Sequence, residues 1–186
     1  MKKLLFFFRS IANTIAVVWT MLFASGAAIQ AAELKVGDDA PPFSLKGSDG
    51  KTYALKDFAG KQPVVLAWFP KAFTPGCTKE CRNFQTDNGL IKKYDVAYFT
   101  ISVDSPEQDA KFAESLGVKD YAILADPTRE VARAYGVLKT ENGVANRWTF
   151  YISKDGKIVA IDKSVKVDTH ARDVAAKLKE LGVAER

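Results

Sequence analysis

The sequence predicts an α/β domain with a central mixed sheet and helices on both faces. Three observations carry that expectation. Three continuous apolar runs of strand length, "PVVLAWF" (63–69), "VAYFTISV" (96–103) and "YAILA" (121–125), suit strands buried on both faces. Segments with helix-start signals separate or follow them. A hairpin and a last amphipathic helix close the chain, and alternating strands and helices of this kind build a two-sided sheet.

Taken in order, the chain opens with Lys2 and Lys3 ahead of an almost uncharged stretch that ends in the small residues "ASGAAIQAA". This reads as an export signal over 1–31, cut between Ala27 and Ala32, or as an uncleaved membrane anchor. The folded domain is expected over 34–186, in the periplasm or an otherwise exported setting. Of the formal net charge of +5, three charges (Lys2, Lys3 and Arg9) precede the first acid, Glu33, which leaves +2 on the exported part. So small an excess gives no electrostatic case for nucleic-acid binding.

In "PPFSLKGSDGKTYALKDFAGK" two short alternating segments flank Asp49-Gly50, a hairpin signal. Ser105-Pro106-Glu107-Gln108 combines a capping Ser, a Pro at the first helical position and a Gln at the third, and that helix stops at Gly117. Asp126-Pro127 is expected to open the next helix in the same way. Lys154-Asp155-Gly156 turns a second hairpin. Asp168 is expected to cap the last helix, whose Val174 and Leu178 share one face. A thioredoxin-like arrangement fits this order; alternation alone also permits a small flavodoxin-like sheet.

Chemistry concentrates in "PKAFTPGCTKEC", which leaves a buried strand and enters a helix and holds both cysteines of the chain. With Thr74 as N-cap and Pro75 as the first helical residue, Cys77 falls in the first turn. Unpaired backbone N–H groups and the positive helix end favour a thiolate there, and the position is expected to expose the sulfur. Cys81 lies one turn on, on the same face. A disulfide between them requires the first turn to loosen, because it needs close β-carbons and a specific dihedral. Cys77, Cys81, Phe84 and Ile91 also fall on one apolar stripe, so Cys81 can equally be read as a core residue. Two cysteines supply half of a zinc shell, and the sole histidine, His170, is far away in sequence and reads as an ordinary first-turn residue. Lys71 reads as a solvated lysine, Trp68 and Trp148 as core or pocket wall, and Asp104 and Asp126 as capping or turn groups.

These residues resemble the peroxiredoxin signature Pro-x3-Thr-x2-Cys, met by Pro70, Thr74 and Cys77. "SDGKTYALKDFAGK", "ISVDSPEQDAKFAESLG", "LADPTREVARAYGV" and "NRWTFYISKDGKI" are similar to the bacterioferritin-comigratory (Q-type) branch of that AhpC/TSA family. The resemblance implies a thioredoxin-like fold and a thiol peroxidase acting on hydrogen peroxide or organic hydroperoxides without metal or haem. It implies that Cys77 is the peroxidatic cysteine, oxidised to a sulfenic acid. Thr74 would orient thiolate and peroxide, Arg147 of "RWTF" would stabilise the sulfur and the developing charge, and Pro70 would shield the pocket. Glu80 matches a common acidic position with a supporting role at most. Cys81 stands where Ala is usual, and Arg82 takes the customary resolving position. Cys81 therefore either resolves the sulfenic acid or leaves a one-cysteine enzyme that uses an external thiol. A thioredoxin-like reductant and a monomer or weak dimer are expected, with a membrane as partner only if the N-terminal segment stays uncut. The rival readings are an exported thiol-disulfide oxidoreductase and a Cys-x3-Cys copper-binding assembly factor using His170.

Overall fold

The computed structural model describes residues 33–186, so the export segment expected over 1–31 lies outside the described residues. Among the described residues seven strands form one mixed sheet in the order β2-β1-β5-β4-β3-β6-β7. The three apolar runs become β3 (Val64–Trp68), β4 (Ala97–Ser102) and β5 (Ala122–Ala125), which pair in parallel at the centre. The hairpins β1 (Ser44–Gly47) with β2 (Thr52–Ala54) and β6 (Thr149–Ile152) with β7 (Ile158–Asp162) flank them as antiparallel pairs. Both turn where expected. Gly50 and Gly156 adopt φ of 81° and 79°, left-handed conformations that glycine takes without a Cβ penalty.

Strand alternation sorts the core into two layers. Val64, Leu66 and Trp68 of β3 pack on one face with Phe99, Ile101, Phe150 and Ile152, and with Val131 and Ala132 of α4 (Glu130–Ala134). Val65 and Ala67 pack on the other with Phe84 of α1 (Pro75–Thr86), Ile91 of α2 (Asn88–Lys92), and Val174 and Leu178 of α5 (His170–Glu180). On that second side, α3 (Pro106–Leu116) covers Phe69 and Ile123 with Phe112. The mixed sheet with helices on both faces is therefore the observed fold.

The α3 signals hold in detail. Ser105 Oγ accepts from the Gln108 N–H, and Gly117 closes the helix at φ 67°. Two cap expectations are corrected. The helix after Asp126-Pro127 starts later, behind Arg129 at φ 61°, because the buried Asp126 carboxylate reaches past it to the Ala132 N–H at 2.7 Å. At α5 the N-cap is Thr169 rather than Asp168. The Asp168 carbonyl instead accepts from Asn83 on α1, which ties the two helices together.

Candidate active site

β3 delivers the chain to the site and β6 supplies its opposite wall. Because Ala67 pairs with Thr149 in antiparallel register, Arg147 lies just beyond the C-terminal end of β3, beside the loop that carries the cysteines. Arg147 shares strand parity with Thr149 and Tyr151, whose face is covered by α1 and α5. The loop is held from below. Asp104, just past the end of β4, accepts the Ala72 N–H at 2.7 Å and so ties the loop to the sheet. Phe73 then adopts φ 62°, a sparsely populated conformation for a residue with a β-carbon, and leans on Phe112 with ring centroids 5.1 Å apart.

Thr74 is the N-cap by backbone geometry, and its carbonyl accepts the Thr78 N–H. Its hydroxyl does not cap the helix, however. It donates to the Lys71 carbonyl at 3.0 Å, closing the loop and leaving the first-turn amides without a side-chain acceptor. Pro70 sits half-buried directly after Phe69, and Lys71 is exposed as expected.

The expected exposure of Cys77 is corrected: only 1% of its surface is accessible. The sulfur turns inward onto Phe69, Ala72 and Phe112 because its polar partner is inside. That partner is Arg147, whose Nη2 donates to Cys77 Sγ at 3.4 Å. The other arm of the guanidinium, Nη1, forms an ion pair with Glu80 Oε2. Glu80 is fully buried, and its second oxygen lies 2.7 Å from His170 Nδ1, while His170 Nε2 lies 2.7 Å from Thr149 Oγ1. Sulfur, guanidinium, carboxylate, imidazole and hydroxyl thus form one connected chain of polar groups drawn from α1, α5, β6 and the segment just before β6.

Glu80 and His170 are the residues that sequence reasoning undervalued. Both lay on apolar stripes: Glu80 falls three residues after Cys77 and four before Phe84, and His170 precedes Val174 and Leu178 at intervals of four. A polar residue in line with a buried face is a signal for an internal partner. Burial pushes His170 down to about 4, against its usual 6.5, with Arg147 adding to the effect and Asp162 and Asp173 opposing it. Both ring nitrogens are engaged, so the imidazole that a copper site would require is already in use.

Cys81 is fully buried beside Cys77, and both are free thiols. Burial pushes the Cys81 thiol well above its usual range, and the neighbouring Cys77 raises it further. Its backbone carbonyl accepts the Tyr121 hydroxyl at 2.9 Å. Cavities of about 690 and 760 Å³ lie elsewhere, against Tyr53 and Tyr98 and against Phe43 and Val131.

A half-buried guanidinium, paired on one side with a carboxylate and on the other with a first-turn thiol on a thioredoxin-like sheet, defines a cysteine-dependent redox enzyme. A family model described as the AhpC/TSA family matches residues 36–161. Peroxiredoxin Bcp of Escherichia coli strain K12 is 37% identical over 154 residues, covering 79% of this chain and 97% of the relative. The crystal structure of peroxidoxin BcpB from Mycobacterium tuberculosis matches with a TM-score of 0.72 at 31% identity, over 80% of this chain and 99% of that one. A Xanthomonas campestris bacterioferritin comigratory protein, whose structure was described for its alkyl peroxide reduction activity, matches at 0.68 and 29% identity over 75% and 91%. The chain belongs to the AhpC/TSA family, in its bacterioferritin-comigratory, or Q-type, peroxiredoxin branch. It is a thiol-dependent peroxidase.

Proposed function

We propose that Cys77 reduces hydrogen peroxide and organic hydroperoxides in a two-cysteine cycle. The observation that carries this reading is the Arg147 guanidinium held 3.4 Å from Cys77 Sγ in the first turn of α1. The Cys77 thiolate attacks one peroxide oxygen. The S–O bond forms as the O–O bond breaks, the sulfur is oxidised to a sulfenic acid, and the departing oxygen takes up a proton and leaves as water or alcohol. Arg147 and the uncapped first-turn amides stabilise negative charge on sulfur and on the leaving oxygen. Thr74, whose hydroxyl hydrogen is directed to Lys71, offers its lone pairs to the peroxide O–H and orients it. Pro70 shields the pocket from water.

Cys81 then condenses with the sulfenic acid, releasing water and forming a disulfide, which a thioredoxin-like dithiol reduces by exchange. In the folded helix Cys81 is buried and protonated, so this step requires α1 to unwind locally and free the Cys81 carbonyl from Tyr121. Reduction of organic hydroperoxides is supported by the activity named for the Xanthomonas relative. An exported setting is supported by the N-terminal sequence.

Peroxide consumption by the Cys77→Ser and Cys81→Ser variants, with mass spectrometry of the oxidised chains, tests the cycle. Cys77→Ser should consume no peroxide. Cys81→Ser should gain a single oxygen on Cys77 and stop after one turnover without an added thiol. Continued turnover by Cys77→Ser would overturn the reading.

A further inference from the structure

His170 takes no part in the steps above, yet it is the chain's only histidine and is 1% exposed. Its ring is fixed on three sides. Phe84 meets it edge-on at 4.8 Å between centroids, Glu80 Oε1 lies 2.7 Å from Nδ1, and Thr149 Oγ1 lies 2.7 Å from Nε2.

The tautomer follows by elimination. Arg147 already offsets the Glu80 charge and burial disfavours a second cation, so the ring, pushed down to about 4, is uncharged at neutral pH and carries one N–H. A carboxylate paired with a guanidinium only accepts, so the hydrogen facing Glu80 belongs to Nδ1. Nε2 is then bare, and the Thr149 hydroxyl donates to it. A hydroxyl can act in either direction, and here only donation completes the chain.

Glu80 Oε2 and Arg147 Nη1 have each other as ion-pair partners, and among the described residues no further hydrogen bond reaches either atom. The aim of the guanidinium therefore depends on the torsion of one carboxylate. A hydrogen bond on the other carboxylate oxygen removes that rotation. We propose that His170 is a positioning residue of the peroxidatic site: as its Nδ1–H tautomer, anchored by Thr149, it locks Glu80 and through it aims Arg147 at Cys77. This assignment rests on the Cys77 and Arg147 reading above, and it adds a residue that touches neither sulfur nor substrate.

Two measurements test it. Nitrogen NMR of the reduced full chain labelled at histidine should show one neutral ring protonated at Nδ1 at pH 7. A charged ring, or a proton on Nε2, would overturn the inference. The second measurement compares Cys77 oxidation rates in two variants. His170→Asn keeps an amide N–H at the Nδ1 position, whereas His170→Gln places its amide at the Nε2 position alone. Asn should oxidise close to the unmodified rate and Gln about tenfold to a hundredfold more slowly, the scale of a misaimed catalytic group. Equal rates in the two variants would overturn the proposal. Loss of peroxide consumption in Cys77→Ser together with such equal rates would leave the peroxidase reading standing and sink only the role of His170.

Discussion

Glu80 and Asp109 are both fully buried carboxyl groups, on helices α1 and α3 that pack together, and they solve the problem of burial in opposite ways. Glu80 meets a guanidinium and an imidazole. Among the described residues the Asp109 carboxyl meets only the Ser102 hydroxyl, at 2.9 and 3.1 Å from its two oxygens, and that hydroxyl also accepts the Asp104 N–H. With no cation to offset desolvation, burial pushes Asp109 up to about 8, Ser102 moderating and Asp104 reinforcing the effect. Asp109 therefore keeps its proton at neutral pH and acts as a neutral buttress beneath the loop that Asp104 holds. The difference teaches where the chemistry can be: of these two buried carboxyl groups only Glu80 has a cation beside it, and that cation is the one aimed at Cys77.

The largest expected effect comes from breaking the charged side of the comparison. Arg147→Ala leaves Glu80 buried and unpaired, which should cost about 3–5 kcal/mol in urea unfolding. The same variant should slow Cys77 oxidation by about 10² to 10³-fold, the range for losing one preorganised donor. Unfolding at several pH values then separates the two carboxyl neighbourhoods. His170 is depressed in the fold, so the unfolded chain binds more protons between pH 6.5 and about 4, and stability falls as pH drops through that window. His170→Asn should flatten this acid limb. Asp109 is raised, so the folded chain binds more protons between its usual 3.8 and about 8, and its contribution fades as pH rises through that range. Asp109→Asn should gain stability relative to the unmodified chain at pH 9 compared with pH 5, with peroxide oxidation little changed. The smallest effect belongs to Tyr121→Phe. Losing the bond to the Cys81 carbonyl should cost about 1 kcal/mol and hasten disulfide formation after oxidation, measured by the rate of thiol loss.

Much of this site was legible in the sequence, and the rest was not, for physical reasons. Strand runs, hairpin turns and the Ser105 cap are local signals, and local signals place β3 and α1 and hence Cys77 at a strand end. Arg147 was recovered through family resemblance, and the β3–β6 register explains why it arrives there. Burial of Cys77 was misjudged because a first-turn position is exposed only when nothing polar waits inside, and the guanidinium comes from seventy residues away. The Asp126 and Asp168 caps were misplaced for a related reason: each carboxylate has a partner away from the expected cap, the Ala132 amide six residues on for Asp126 and Lys79 of α1 for Asp168. Glu80 and His170 are ninety residues apart, and only tertiary packing of α1 on α5 makes them a pair.

The central claim is that a forked guanidinium, shared between Glu80 and Cys77, drives oxidation of that sulfur. Stopped-flow oxidation by hydrogen peroxide, comparing Cys81→Ser with Cys81→Ser carrying Arg147→Lys, tests it most directly, because lysine keeps the charge but cannot reach both partners. The expected result is unchanged circular dichroism with Cys77 oxidised roughly tenfold to a hundredfold more slowly. Identical rates in the two proteins would contradict the account.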